Sequence, residues 1–132
     1  MGEHIHTVWD FWDIPREGVA DFQGRPHIYK CQFSEAEDDW TNLFWLMEID
    51  QELLALDLER SAISARWLEE FQSGSVPLES GPVLPVDRQR FEELQSAIGD
   101  RLQLRPERSV IRRGRFMASP GAGISAVEWA EP

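Results

Sequence analysis

Cysteine is nearly missing from this 132-residue chain, with Cys31 standing alone. An internal disulfide is therefore excluded, and a thiolate metal cluster with it. Stability falls to packing and hydrogen bonds, the pattern of a protein kept in a reducing compartment. Tyrosine is equally scarce, one residue against six tryptophans and seven phenylalanines, so most of the aromatic area carries few polar handles and calls for an aromatic-rich core. No apolar run approaches the roughly 18 to 20 residues of a membrane span, and the first residues, Met-Gly-Glu-His-Ile-His, have neither the basic nor the apolar region of a secretion signal. A soluble, cytoplasmic protein is the expectation.

Bases are short as well. Thirteen Lys and Arg face 24 Asp and Glu, a formal net charge of −11. Residues 1–100 hold 21 acids against 7 bases, a net of −14, whereas residues 101–132 hold 3 acids against 6 bases, a net of +3. Such a field repels nucleic-acid phosphates and favours a basic protein partner. Catalytic signatures are also wanting. There is no Gly-x-Ser-x-Gly elbow and no Walker-type loop, and Gly121-Ala122-Gly123 lacks both the third glycine and the following helix of a dinucleotide fingerprint. No cofactor is expected.

With 42% apolar residues the chain has ample material for one core. Strands are expected over His4–Trp12, over Val19–Phe22 and His27–Phe33 around the polar turn Gln23-Gly24-Arg25-Pro26, and over Trp40–Ile49, with Asp13–Gly18 as a loop. Asp50 suits a helix start, and the wide apolar stripe through Leu53, Leu56, Ile63, Trp67 and Phe71 predicts a helix that ends at Ser73-Gly74. Phe91, Leu94, Ile98 and Leu102 predict a second helix over 87–102, with Gly99 weakening its last turn. Pieces around 109–117 and 126–129 complete a final hairpin. The fold class is therefore α+β, a single domain over 1–132: an antiparallel sheet of about six strands in the order β-β-β-β-α-α-β-β, with two helices packed on one face.

Three groups of side chains suggest sites. Trp9, Asp10, Trp12 and Asp13 place two carboxylates among large aromatics, where desolvation raises a carboxyl pKa, and Arg16 and His27 could complete a ligand pocket or a hydrolytic site. The plainer possibility is a surface carboxylate and a turn residue pairing with Arg16. Glu35, Glu37, Asp38 and Asp39 form a compact negative loop beside Trp40, suited to docking on a basic surface around one aromatic anchor. His4 and His6 project from one strand face but lack a third ligand, so no metal site is assigned. Arg101, Arg105, Arg108, Arg112, Arg113 and Arg115 form the basic cluster, best read as neutralising the acidic remainder of the same chain.

The run V-W-D-F-W-D-I-P-R-E-G-V-A-D-F-Q-G-R-P-H, with the acidic E-D-D-W and the W-L-E-E-F helix after it, resembles a group of small uncharacterised bacterial proteins over most of the chain. That resemblance implies a bacterial cytoplasmic origin and no activity or site. The residues themselves point to a non-catalytic acidic domain binding a basic protein, as an inhibitor, immunity-type or accessory factor would. The alternative is a small-molecule binder or hydrolytic enzyme with its pocket near Asp10, Asp13 and His27. Oligomeric state is not fixed by these features.

Overall fold

The computed structural model describes residues 2–121 and 123–132, so Ala122, within the expected 119–123 turn, lies outside the described residues. The strands are β1 (Glu3–Trp12), β2 (Ile14–Phe22), β3 (Arg25–Ser34), β4 (Asp39–Glu48), β5 (Val110–Ser119) and β6 (Gly123–Ala130). The helices α1 (Gln51–Gln72) and α2 (Arg88–Ile98) fall between β4 and β5. The class is α+β with the expected element order. The chain divides into two compact units, one formed by the residues up to Gln51 with Gln103–Pro132, the other by Glu52–Leu102. The Ser- and Pro-rich stretch 73–85 lies inside the second.

In the first unit all six strands are antiparallel and consecutive. The sheet is not open: it closes into a barrel, because β1 also pairs with β6 through Glu3–Val127 and His4–Ala126. Closure joins the two outermost strands, the ones an open sheet leaves as exposed edges. The interior holds Ile5, Ala20, Tyr29, Cys31, Phe44, Leu46 and Val127, with Phe22, Trp40, Phe116 and Trp129 packed against them. Phe44 sits 5.5 Å from both Phe116 and Trp129, ring centre to ring centre. Trp129 meets its polar need by donating from Nε1 to the Asp21 carbonyl at 2.9 Å, and Tyr29 donates its hydroxyl to the Thr7 carbonyl at 3.1 Å.

Two differences from the sequence reading matter for the site. Residues 13–18 are not a loop: β1 turns into β2 at Asp13 alone, which takes φ 59°, so that Trp12 already pairs with Ile14 and Phe11 with Pro15. Gly18, which reads as a breaker, lies inside β2 paired with Val8 and Tyr29, at a place where a side chain would collide with the Thr7 carbonyl and the Tyr29 hydroxyl. In β3, His27, Tyr29 and Cys31 are buried, and so is Ile28 on the opposite face. Phe33 is not, because a register shift between Cys31 and Phe33 breaks the period of two.

In the second unit α1 begins directly after Asp50 and stops before Ser73, as expected. Ile63 and Leu94 meet in a small core with Val83, Leu56 and Phe91, so the two helices pack together. Arg90 with Glu59, Arg66 with Asp87 and Arg60 with Gln95 bond across the outside of the pair. Asp57, on the buried stripe of α1, is fully buried and accepts from Arg60 at 2.8 Å. The second helix is shorter than expected: Gly99 takes φ 54° and ends it, its N–H returning to the Gln95 carbonyl at 2.9 Å. No helix among the described residues is long and apolar enough to cross a membrane.

Candidate partner-binding end of the barrel

In a barrel of consecutive antiparallel strands every second turn lies at the same end. The β1–β2 turn at Asp13 and the β3–β4 turn over residues 35–38 therefore share one end. Arg16 binds the two turns together. Its side chain is almost fully buried, donating from Nε to the Trp12 carbonyl at 3.1 Å and from Nη2 to Asp13 Oδ1 at 2.6 Å. Its Nη1 reaches across to Cys31 Sγ at 3.4 Å and the Thr41 carbonyl at 3.5 Å. Its guanidinium carbon lies 5.2 Å from the centre of the Trp40 ring, and Trp40 in turn meets Phe33 edge to face at 5.2 Å.

The solvent side of this end is aromatic and acidic. Phe11, Trp12 and Phe33 are 57, 68 and 47% exposed. Asp10, Asp13, Glu35, Glu37, Asp38 and Asp39 are all exposed. The acidic turn has an internal scaffold: the Glu37 amide donates to Ser34 Oγ at 3.2 Å, the Trp40 amide to Asp39 Oδ1 at 2.8 Å, and Asp38 takes φ 51°. Two groups that stand apart in sequence, Trp12-Asp13-Arg16 and Glu35-Glu37-Asp38-Asp39-Trp40, thus form one surface.

The expected pocket does not assemble as a unit. Trp9 is half-buried, and Asp10 pairs in register with Glu17. His27 lies at the other end of the barrel, beside the β2–β3 turn. It pairs with Ala20 and Glu48, donates from Nδ1 to the Arg25 carbonyl at 2.8 Å and rests edge-on against Phe22 at 5.2 Å. The Cys31 thiol, which donates to the Thr41 carbonyl at 3.2 Å, is pushed up in pKa by burial, with Arg16 opposing; a thiol so held is a poor nucleophile. His4 and His6 stack edge to face at 4.6 Å, and His6 Nε2 bonds Asp21 at 2.8 Å. Among the described residues no group of three His, Cys, Asp or Glu side chains is placed to hold a metal ion.

Three of the six arginines of the basic cluster have acidic or aromatic neighbours in their own unit. Arg115 pairs with Glu128, Arg101 with Glu52, and Arg112 lies over the Phe22 ring at 5.3 Å. A shallow, open depression runs along α2, lined by Pro85, Arg88, Gln89, Glu92, Glu93 and Ser96. It has no aromatic wall, and both charge signs line it.

The Glu17 carboxyl is held above its ordinary pKa. Partial burial pushes it up, Lys30 partly offsets this, and Asp10 adds to it. The folded state then holds the proton more tightly than the unfolded chain, so this group's contribution to stability is least favourable above the folded pKa and recovers on acidification. Glu17→Gln is expected to raise the denaturation midpoint at pH 7, with the gain shrinking to nothing below the ordinary glutamate pKa of 4.5. Urea melts of both proteins across pH 4 to 7 check this, and a gain constant with pH would reject the assignment to Glu17 ionisation.

Alternation places Phe33 on the face of β3 that carries His27, Tyr29 and Cys31, and Phe11 on the face of β1 that carries Ile5, Thr7 and Trp9; the shift after Cys31 and the turn at Asp13 leave both exposed. No family model, no curated protein and no solved structure matches the chain.

Proposed function

We propose that this chain is a non-catalytic acidic interaction domain that binds a basic protein, in the manner of an inhibitor, immunity-type or accessory factor, through the end of the barrel built from the β1–β2 and β3–β4 turns. The observation that carries the reading is the joining of the two turns by Arg16. It presents three exposed aromatic rings and six carboxylates on one rigid surface. Exposed aromatics supply desolvation energy at an interface, and surrounding charge steers the partner and rejects wrong ones. A lone buried thiol suits a cytoplasmic setting.

A hydrolytic or small-molecule pocket is less well supported. The donors of Arg16 are spent on internal acceptors, and His27 is remote from Asp13. The barrel interior is filled by aromatic side chains.

Affinity capture from the source cell tests the proposal. The intact chain is expected to retain a stoichiometric basic protein that salt releases, since a Debye length of about 8 Å at physiological ionic strength screens such surface charge. The Glu35→Gln, Glu37→Gln, Asp38→Asn, Asp39→Asn variant is expected to associate about tenfold more slowly at low salt. Absence of a partner, or association unchanged by the four substitutions, would refute it.

A further inference from the structure

We infer that the acidic end is selective for arginine, so that the partner docks through an arginine-bearing segment and a lysine-bearing segment of equal charge binds less well. This inference rests on the proposed interaction role and adds to it the chemistry of the recognised group.

The barrel already holds a guanidinium at this end from its inner side. Arg16 lies over the Trp40 ring with the Asp13 carboxylate at 2.6 Å. The outer side carries the same two kinds of group, exposed aromatic rings and exposed carboxylates. The Asp13 side chain is 70% exposed although Oδ1 accepts from Arg16, leaving the carboxylate accessible to a second cation. The neighbouring Trp12 is the most exposed ring of the end. Phe33 touches Trp40 edge to face and is itself exposed. Glu35, Glu37 and Asp38 follow within five residues of it in the chain, all exposed.

Arginine and lysine use such a surface differently. A guanidinium is planar, weakly hydrated and rigidly forked, so it stacks on a ring while bonding a carboxylate with two N–H groups. An ammonium is a compact, strongly hydrated point charge that gains mainly the long-range attraction. The carboxylates alone would serve either cation; the exposed Trp12 and Phe33 faces are what favour arginine.

Isothermal titration of the intact chain with two peptides, (Arg-Gly-Ser)3 and (Lys-Gly-Ser)3, separates these effects. The arginine peptide is expected to bind about fivefold or more tightly, the yield of one or two exposed stacking contacts. Trp12→Ala and Phe33→Ala are each expected to shrink that ratio while leaving the lysine peptide's affinity nearly unchanged. Because Phe33 touches Trp40, its variant is paired with a thermal melt, and Trp12→Ala stands as the independent arm. Equal affinities that fall with salt would overturn arginine selectivity and leave the basic-partner reading standing. Failure of both peptides to bind at low salt would overturn both.

Discussion

Replacing Gly18 by alanine is expected to cost the barrel about 3 kcal/mol or more, the upper range for overpacking a filled interior. The added Cβ would lie 2.1 Å from the Thr7 carbonyl oxygen and 2.8 Å from the Tyr29 hydroxyl. The nearer obstacle is backbone, which cannot swing aside as a side-chain tip can. Relief requires β1 and β2 to separate where they pair, or Tyr29 to abandon the Thr7 carbonyl and press into Phe44 and Trp129. Gly24 provides the contrast. Nothing lies within 4 Å of its would-be Cβ and only its φ of 75° resists a side chain, so Gly24→Ala should cost about 1 kcal/mol. Urea midpoints at unchanged slope would give both values, and equal effects at the two sites would mean that strand contact at Gly18 is not the constraint.

Arg16→Ala is the second large effect, expected at about 3 kcal/mol from the loss of the bonds to Asp13 and to the Trp12 and Thr41 carbonyls together with the packing of a buried side chain on Trp40. Its value lies in what accompanies it. Because Arg16 is the group that holds the Asp13 turn to Trp40, its removal should loosen both turns together, visible as faster amide exchange over residues 11–14 and 33–41. Arg16→Lys should recover little of either. One ammonium cannot bond the Trp12 carbonyl, Asp13 and Thr41 in a plane while stacking on Trp40. Full recovery by lysine would reduce the role of Arg16 to its charge.

The strands and helices were legible because their causes are local. Alternating aromatic and β-branched residues mark β1 and β3, a nearly continuous apolar run marks β4, and a wide apolar stripe after Asp50 marks α1. What lay beyond local pattern was where strands meet. Pro15 and Gly18 resemble punctuation until their cross-strand partners, Phe11 and Val8, are known. Closure of the sheet depends on two residue pairs joining strands more than a hundred residues apart. Asp57 sits on an apolar stripe where composition gives no warning of a buried carboxylate with its own arginine.

The candidate surface follows the same division. Asp13, Arg16 and the 35–39 acids were each visible as chemistry, and Arg16 with Asp13 was visible as a pair. That Arg16 also reaches Thr41 and Trp40, fusing two candidate groups into one and leaving His27 at the far end, is a product of strand order. Phe11 and Phe33 became surface residues only through a one-residue turn and a register shift.

Hydrogen–deuterium exchange of the chain alone and in complex with its captured partner tests the central claim most directly. The account predicts slowed exchange confined to residues 10–16 and 33–41, the two turns acting together. Protection along Pro85–Ser96, or at the β2–β3 turn beside His27 with residues 10–16 and 33–41 unchanged, would contradict it.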